Sequence, residues 1–284
     1  MLASDPGVLE TPAVQWSSGV LRTVREPLAL EEPLALEIAY ARGGTAVRRL
    51  IATTMRTPGA DEDLAAGFLF AEGLIAERGD VVSFAAAERN SRGEAIATLT
   101  ATLRAAPREN LERVSRSLLT SSACGLCGRP SLEGLRASAV TAGGARWQAE
   151  VLSALPERLR DAQPLFAATG GSHGAGLATA AGEIAFVRED VGRHNAVDKV
   201  VGAALAQGSP PFGGHALVLS GRASFELVQK AAAAGIPVIV AVGAPSSLAL
   251  RLATEAGQTL LGFTRDGRFT LYTGAARLDG HGTA

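Results

Sequence analysis

The sequence predicts an α/β protein, with an α+β part on the N-terminal side and a layered α/β domain after it. Two observations carry that expectation. Beyond Ala149, short apolar runs alternate with helical stretches, the rhythm of a sheet whose strands are joined through helices on its faces. Before that point, two strand pairs enclose a single helical face and the alternation is missing.

In chain order, residues 1–32 are mixed, dotted with Pro and Glu, and read as a flexible N-terminal arm. An N-terminal α+β domain is expected over 33–104. Runs at 34–40 and 45–54 flank Arg42-Gly43-Gly44, a hairpin signal. Residues 61–74 place Leu64, Phe68, Ala71 and Leu74 on one helical face, with Asp61 as the N-cap and Gly73 as the stop signal. Residues 81–87 and 95–103 read as a second strand pair. Residues 105–148 read as an exposed connection carrying both cysteines, since long loops in compact proteins are uncommon unless functional. The α/β domain is expected over 149–274. Its predicted strands are 183–187, 215–219 and 237–242, and its predicted helices 195–205, 223–234 and 246–256. A hairpin of 259–264 and 269–272 turns at Asp266-Gly267, and 275–284 form a tail.

Composition excludes several classes. The 284 residues are 47% hydrophobic but only 5% aromatic, with 33 glycines, so the core should be built from small aliphatics. With 27 basic and 28 acidic residues, the chain lacks the basic excess of a general nucleic-acid binder. Residues 231–250 are an uncharged run of spanning length, but Pro237, Pro245 and the interspersed Gly and Ser residues break it, so no membrane span is expected. The N-terminus carries Asp5, Pro6 and Glu10 before any apolar run, so no secretory signal is expected. Two closely spaced cysteines make no disulfide framework and fit a reducing, cytoplasmic setting.

The pair Cys124-Gly125-Leu126-Cys127 supports three chemistries. Zinc needs about four ligands, and the chain has two cysteines and four histidines with no His-x-Glu deaminase motif. A thioredoxin-type dithiol belongs at a helix start after the first strand of a small α/β unit, whereas this pair sits mid-chain among Ser and Gly. Nucleophilic sulfur chemistry needs an accessible thiolate. Ser121, Ser122, Gly125 and Gly128 leave room for it, and Arg129 with a helix start at Pro130-Ser131 would stabilise its charge. The plain alternative is a pair of inert buried cysteines.

The stretch from Thr120 to Gly128 resembles the signature of the formate dehydrogenase accessory sulfurtransferase family, FdhD. The resemblance continues in order from about residue 31 to 273. It takes in Thr57-Pro58-Gly59, Thr169-Gly170-Gly171-Ser172-His173, Glu189-Asp190-Val191-Gly192-Arg193-His194-Asn195, Ser220-Gly221-Arg222-Ala223-Ser224, and 261–268. It implies a sulfurtransferase that accepts sulfur from a cysteine desulfurase and passes it to a molybdenum cofactor bearing two pterin guanine dinucleotides, for formate dehydrogenase. By the same resemblance Cys124 carries the persulfide and Cys127 assists. Phe263, Thr264, Arg265, Asp266, Gly267 and Arg268 would bind the cofactor, of which a guanine nucleotide is a part-mimic. The second domain would be a three-layer, cytidine-deaminase-like α/β fold without zinc. Implied partners are the desulfurase, the catalytic subunit of formate dehydrogenase and a second copy of the chain; the two similar halves of the cofactor suit a two-fold dimer. The competing reading is a non-catalytic cofactor-binding chaperone.

A dinucleotide brings phosphates, and three turns could receive them. Ser220, Gly221 and Arg222 precede a predicted helix, where free N–H groups and the helix dipole attract anions. The segments 243–246 and 169–172 are similar turns, although each also fits ordinary helix capping. The polar cluster of Asp190, Arg193, His194, Asn195 and Asp198 reads as facing the cofactor, with ordinary capping as its alternative. His215 and His281 read as surface residues.

Overall fold

The structure is a computed structural model describing residues 7–107, 145–208 and 210–279. Strands β7 (His173–Thr179), β8 (Ile184–Asp190), β9 (His215–Leu219), β10 (Val238–Ala241), β11 (Thr259–Arg265) and β12 (Arg268–Thr273) form one sheet, ordered β12-β11-β10-β9-β7-β8. β9, β10 and β11 are parallel, while β12, β7 and β8 pair antiparallel to their neighbours. Successive side chains point to opposite faces. Leu217, Leu219, Ile239 and Leu260 therefore enter one apolar cluster, while Ala216, Val218, Val238, Val240 and Leu261 enter another. Helices α4 (Arg193–Gln207), α5 (Phe225–Ala233) and α6 (Ser247–Glu255) cover the first face. Helix α2 (Ala149–Asp161) covers the second through Leu152, Leu155 and Leu159, beside the fully buried Trp147. This is the predicted layered α/β arrangement.

The N-terminal part is a second sheet, ordered β4-β3-β6-β5, of β3 (Glu32–Arg42), β4 (Thr45–Arg56), β5 (Val81–Ala87) and β6 (Thr98–Leu103). Helix α1 (Asp61–Ala71) crosses α4 at two glycines. A Cβ on Gly67 would stand 1.9 Å from the Asp198 carbonyl oxygen, and one on Gly202 1.9 Å from that of Asp63. The helices thus touch backbone to backbone, and one core runs from Ile38, Tyr40 and Ile51 of the small sheet to Leu217 and Ile239 of the large one. Polar ties reinforce the joint. The Arg188 guanidinium meets Asp63 at 2.7 Å, and Asn195 Nδ2 donates to the Met55 carbonyl at 2.7 Å.

Several expectations need correction. Residues within the supposed arm form a two-stranded antiparallel hairpin of β1 (Val8–Ser17) and β2 (Val20–Ala29), its tip bearing Trp16 at 68% exposure. Ala60, in the left-handed region at φ 52°, occupies the N-cap of α1; Asp61 sits in the first turn and pairs with Arg56 at 2.9 Å. A strand, β7, lies directly after the turn at 169–172, where no element was predicted. The tail and the connection are partly built into the fold, because Trp147 bridges to Leu278 and both are buried. The run 231–250 resolves into the end of α5, β10 and the start of α6, and no helix among the described residues is long and apolar enough to cross a membrane.

Candidate functional site

Three parallel strands end on the same edge of the large sheet, and ligands in α/β folds gather beyond such ends. There β9 runs into Ser220, β10 into Val242, and β11 into Thr264 and Arg265. With α2 and the short helix α3 (Pro164–Thr169), these residues enclose a cleft of about 820 Å3, within the range of small-molecule and cofactor sites. Its floor is polar and neutral: Gln163, Ser172 and Thr264 are 3%, 6% and 0% exposed. Charges stand around it, with Arg160 and Arg265 against Glu157, Asp161 and Asp266.

The floor is held by Glu189 on β8. Its carboxylate accepts from the Leu165 and Phe166 amides, both at 2.8 Å, and from Ser172 Oγ at 2.7 Å. A carboxylate at a helix N-terminus satisfies amides that the helix leaves free. Ser220 Oγ accepts from the Gly174 amide at 2.9 Å, and Gly174 must lack a Cβ because one would fall 2.4 Å from the Gln163 side chain. His173 borders the cleft. Burial, followed by the neighbouring Arg193 and His194 charges, holds its imidazole below the usual histidine range, so it is neutral at pH 7.

The far wall is the β11–β12 hairpin. Asp266 and Gly267 both have positive φ, 51° and 70°, as a type I′ turn requires. A bulge precedes it, since pairing passes from Gly262↔Thr270 to Arg265↔Arg268 with one extra residue on β11. Gly262 admits the neighbouring turn, for a Cβ there would lie 2.8 Å from Pro245 Cδ and 3.0 Å from the Gly243 oxygen.

The structure thus gathers Ser220, Thr264, Arg265, Asp266 and Gly267 in one cleft. Phe263 and Arg268 lie in the same hairpin but are exposed outside the lining. Gly221 stands behind His173, where a Cβ would be 3.6 Å from Nδ1, and Arg222 is exposed on the same turn. His194 pairs with Glu226 at 2.8 Å, outside the lining, and that hydrogen bond holds the Glu226 carboxyl below its ordinary range. Cys124 and Cys127 lie outside the described residues, as do Arg129 and Ser131.

The polar cluster after β8 divides. Asp190, Asn195 and Asp198 are buried in the joint between the sheets and do not line the cleft. Asp190 accepts from the Thr57 and Gly192 amides and from Asn195 Nδ2, and meets the buried Lys199 at 2.7 Å. Asp198 pairs with Lys230. Lys199 directly follows Asp198 in the sequence, and nothing local marks it as buried. Of the turns, 243–246 provides capping, for Ser246 Oγ accepts from the Ala249 amide, whereas Gly170, Gly171 and Ser172 line the cleft. Gln163, Glu157 and Arg160 were missed; Glu157 and Arg160 read in sequence as the polar side of an amphipathic helix, and Gln163, the N-cap of the short helix that follows, carries no distinguishing signal. His215 is half-buried with Nδ1 inside, not a plain surface residue.

The FdhD/NarQ family model matches residues 29–279, and the chain belongs to that family. It is 46% identical over 258 residues to a protein of Mycolicibacterium paratuberculosis, covering 89% of this chain and 92% of the relative. It is 47% identical over 259 residues to one of Nocardia farcinica, covering 89% and 88%. Both relatives are named sulfur carrier protein FdhD. The crystal structure of a protein from Desulfotalea psychrophila, described as a formate dehydrogenase accessory protein, superposes with a TM-score of 0.73 at 26% identity, covering 96% of this chain and all of that one.

Proposed function

We propose that the chain is a cytoplasmic sulfur carrier in formate dehydrogenase maturation. The Cys124 thiolate takes the terminal sulfur of a cysteine desulfurase persulfide, forming its own persulfide and returning the desulfurase thiol. Cys127 assists the onward transfer. The recipient is the molybdenum cofactor with two pterin guanine dinucleotides, bound as cargo and then passed to the dehydrogenase catalytic subunit. A two-fold dimer would present the same cleft to each guanine half.

The observation that carries this reading is the convergence in one cleft of Ser220 with 264–267, segments that the sequence keeps more than forty residues apart. The volume suits a nucleotide, the neutral floor suits a base, and Arg265 offers a planar cation to phosphate.

Two experiments test it. Labelled sulfur from a desulfurase should appear on Cys124 and be absent from Cys124→Ala; a carrier that binds cofactor but never becomes labelled is a chaperone instead. Guanosine diphosphate should bind the wild type, and an Arg265→Ala/Arg268→Ala variant more weakly. Equal binding removes the hairpin from the site.

A further inference from the structure

The β1–β2 ribbon is a sheet of its own, paired with neither of the others, and residues 8–28 precede the segment that the family model matches. None of its side chains enters the three apolar clusters among the described residues. Its root rests on the turn before β7, where a Cβ on Gly171 would meet that of Ala29 at 3.4 Å. The distal half, 14–17 and 20–23, is exposed throughout. Cross-strand pairing sorts its side chains onto two faces. Trp16 stands beside Leu21 and Val14 beside Thr23 on one face; Ser17 stands beside Val20 and Leu9 beside Leu28 on the other.

Val14 is 65% exposed, and Trp16 and Leu21 68% each, so three large apolar side chains lie together in water. Such patches mark contact surfaces, and a two-stranded ribbon with nothing against it is marginally stable. What covers it must therefore be present whenever the chain is folded, as a second copy of the chain is and a transient client is not. The charges agree. Glu10 and Glu26 balance Arg22 and Arg25, so a second copy meets no net repulsion, and the cationic excess that suits a lipid or nucleic-acid surface is missing. The area agrees as well. The tip can bury roughly 300 Å2, with Trp16 supplying the largest share. Two tips and two receiving surfaces in a two-fold pair then remove about 1,200 Å2 from water, the lower end of a stable interface.

We infer that the ribbon is the arm by which two copies of the chain hold each other, with Trp16, Leu21 and Val14 packed on the second copy. This rests on the reading of the chain as a two-fold dimer and names the surface that makes it. A two-fold contact uses the same patch on both chains, so each gives a tip and receives one. A buried tryptophan carries an outsized share of such a contact, which makes Trp16 the anchor and the face it shares with Leu21 and Val14 the one that matters.

Sedimentation velocity on the full chain across a micromolar dilution series tests the inference, with melting followed by circular dichroism as the check on folding. Trp16→Asp/Leu21→Asp should weaken self-association at least about thirtyfold, the scale of losing one aromatic anchor, while keeping a single cooperative melting transition. Val14→Lys, on the same face, should weaken it by about tenfold. Gln15→Lys, its neighbour on the opposite face, should associate within about threefold of wild type, as an ordinary surface change does. A double variant that associates like wild type overturns the arm and leaves the dimer reading standing on another surface. Equal losses in Val14→Lys and Gln15→Lys trace the effect to added charge rather than to that face, and overturn it too. If the double variant does not fold, Val14→Lys, a single change at an exposed position, decides alone. A wild type that is monomeric throughout the series sinks the dimer reading and this inference with it.

Discussion

Replacing Gly202 by alanine sets two magnitudes against each other. In a helix interior, alanine is favoured over glycine by about 1 kcal/mol, so propensity alone predicts a more stable protein. Against this, the new Cβ would stand 1.9 Å from the Asp63 carbonyl oxygen and 2.7 Å from its carbon, where contacts under 3.0 Å essentially never occur. The obstacle is backbone, so no rotamer change relieves it, and α1 and α4 must part by roughly 1 Å. A gap of about that size forfeits a quarter to a half of each dispersion contact it opens, and the core on both sides of this crossing is continuous. Overpacking costs about 1–3 kcal/mol and here belongs at the upper end, leaving a net loss of about 2 kcal/mol after the propensity gain. At about 2–4 °C per kcal/mol for a chain of this size, the Tm should fall by about 4–8 °C. Calorimetric or circular-dichroism melting measures it. Gly67→Ala should do the same, and the double variant should lose less than the sum, because either change already separates the same helices. A Gly202→Ala protein that melts at or above the wild-type temperature would show that propensity wins and the close crossing does not exist.

Two further outcomes follow from buried polar groups. Lys199→Met leaves the fully buried Asp190 with its three N–H donors but no cation, and should cost about 3–5 kcal/mol, read as a lowered denaturation midpoint at unchanged m-value; a midpoint within error of wild type would show the pair to be dispensable. Burial holds the His215 imidazole below its ordinary value, against a smaller opposing pull from a backbone hydrogen bond to Phe212. The unfolded chain then binds more protons in the window just below the ordinary histidine pKa, so this residue's contribution is complete above that pKa and is lost as pH falls through the folded one. His215→Gln should flatten the fall of stability between about pH 7 and 5, with His173, whose shift has the same sign, contributing to what remains; identical slopes in both proteins would refute it.

What the sequence revealed depended on how each element is buried. The β3–β4 and β11–β12 hairpins were legible because their turns need Gly43-Gly44 and Asp266-Gly267 at positive φ. Strands β9 and β10, covered on both faces, read as apolar runs. The β1–β2 ribbon was not legible: much of both faces meets solvent, so no alternation marks it, and Pro12 and Pro27 argue against strands. Strand β7 was hidden by its own glycines, which are there for packing: a Cβ on Gly176 would press on Leu159 at 3.1 Å and Ile184 at 3.2 Å. In the site, Ser220 and 264–267 were each visible through the family resemblance, but their meeting depends on parallel strands ending together. The buried fate of Asp190 and Lys199 depends on a second sheet packing over them, which no local pattern encodes.

The β1–β2 ribbon has a spectroscopic consequence. The chain contains two tryptophans, and they occupy opposite extremes: Trp16 is 68% exposed near the ribbon tip, while Trp147 is wholly enclosed beneath the large sheet. An indole in water emits at longer wavelength and is reached by aqueous quenchers; an enclosed one emits further to the blue and is shielded. The native chain therefore carries two separable optical reporters without labelling. The quenchable red component follows whatever approaches the ribbon, and the shielded blue component follows the layer that α2 seals.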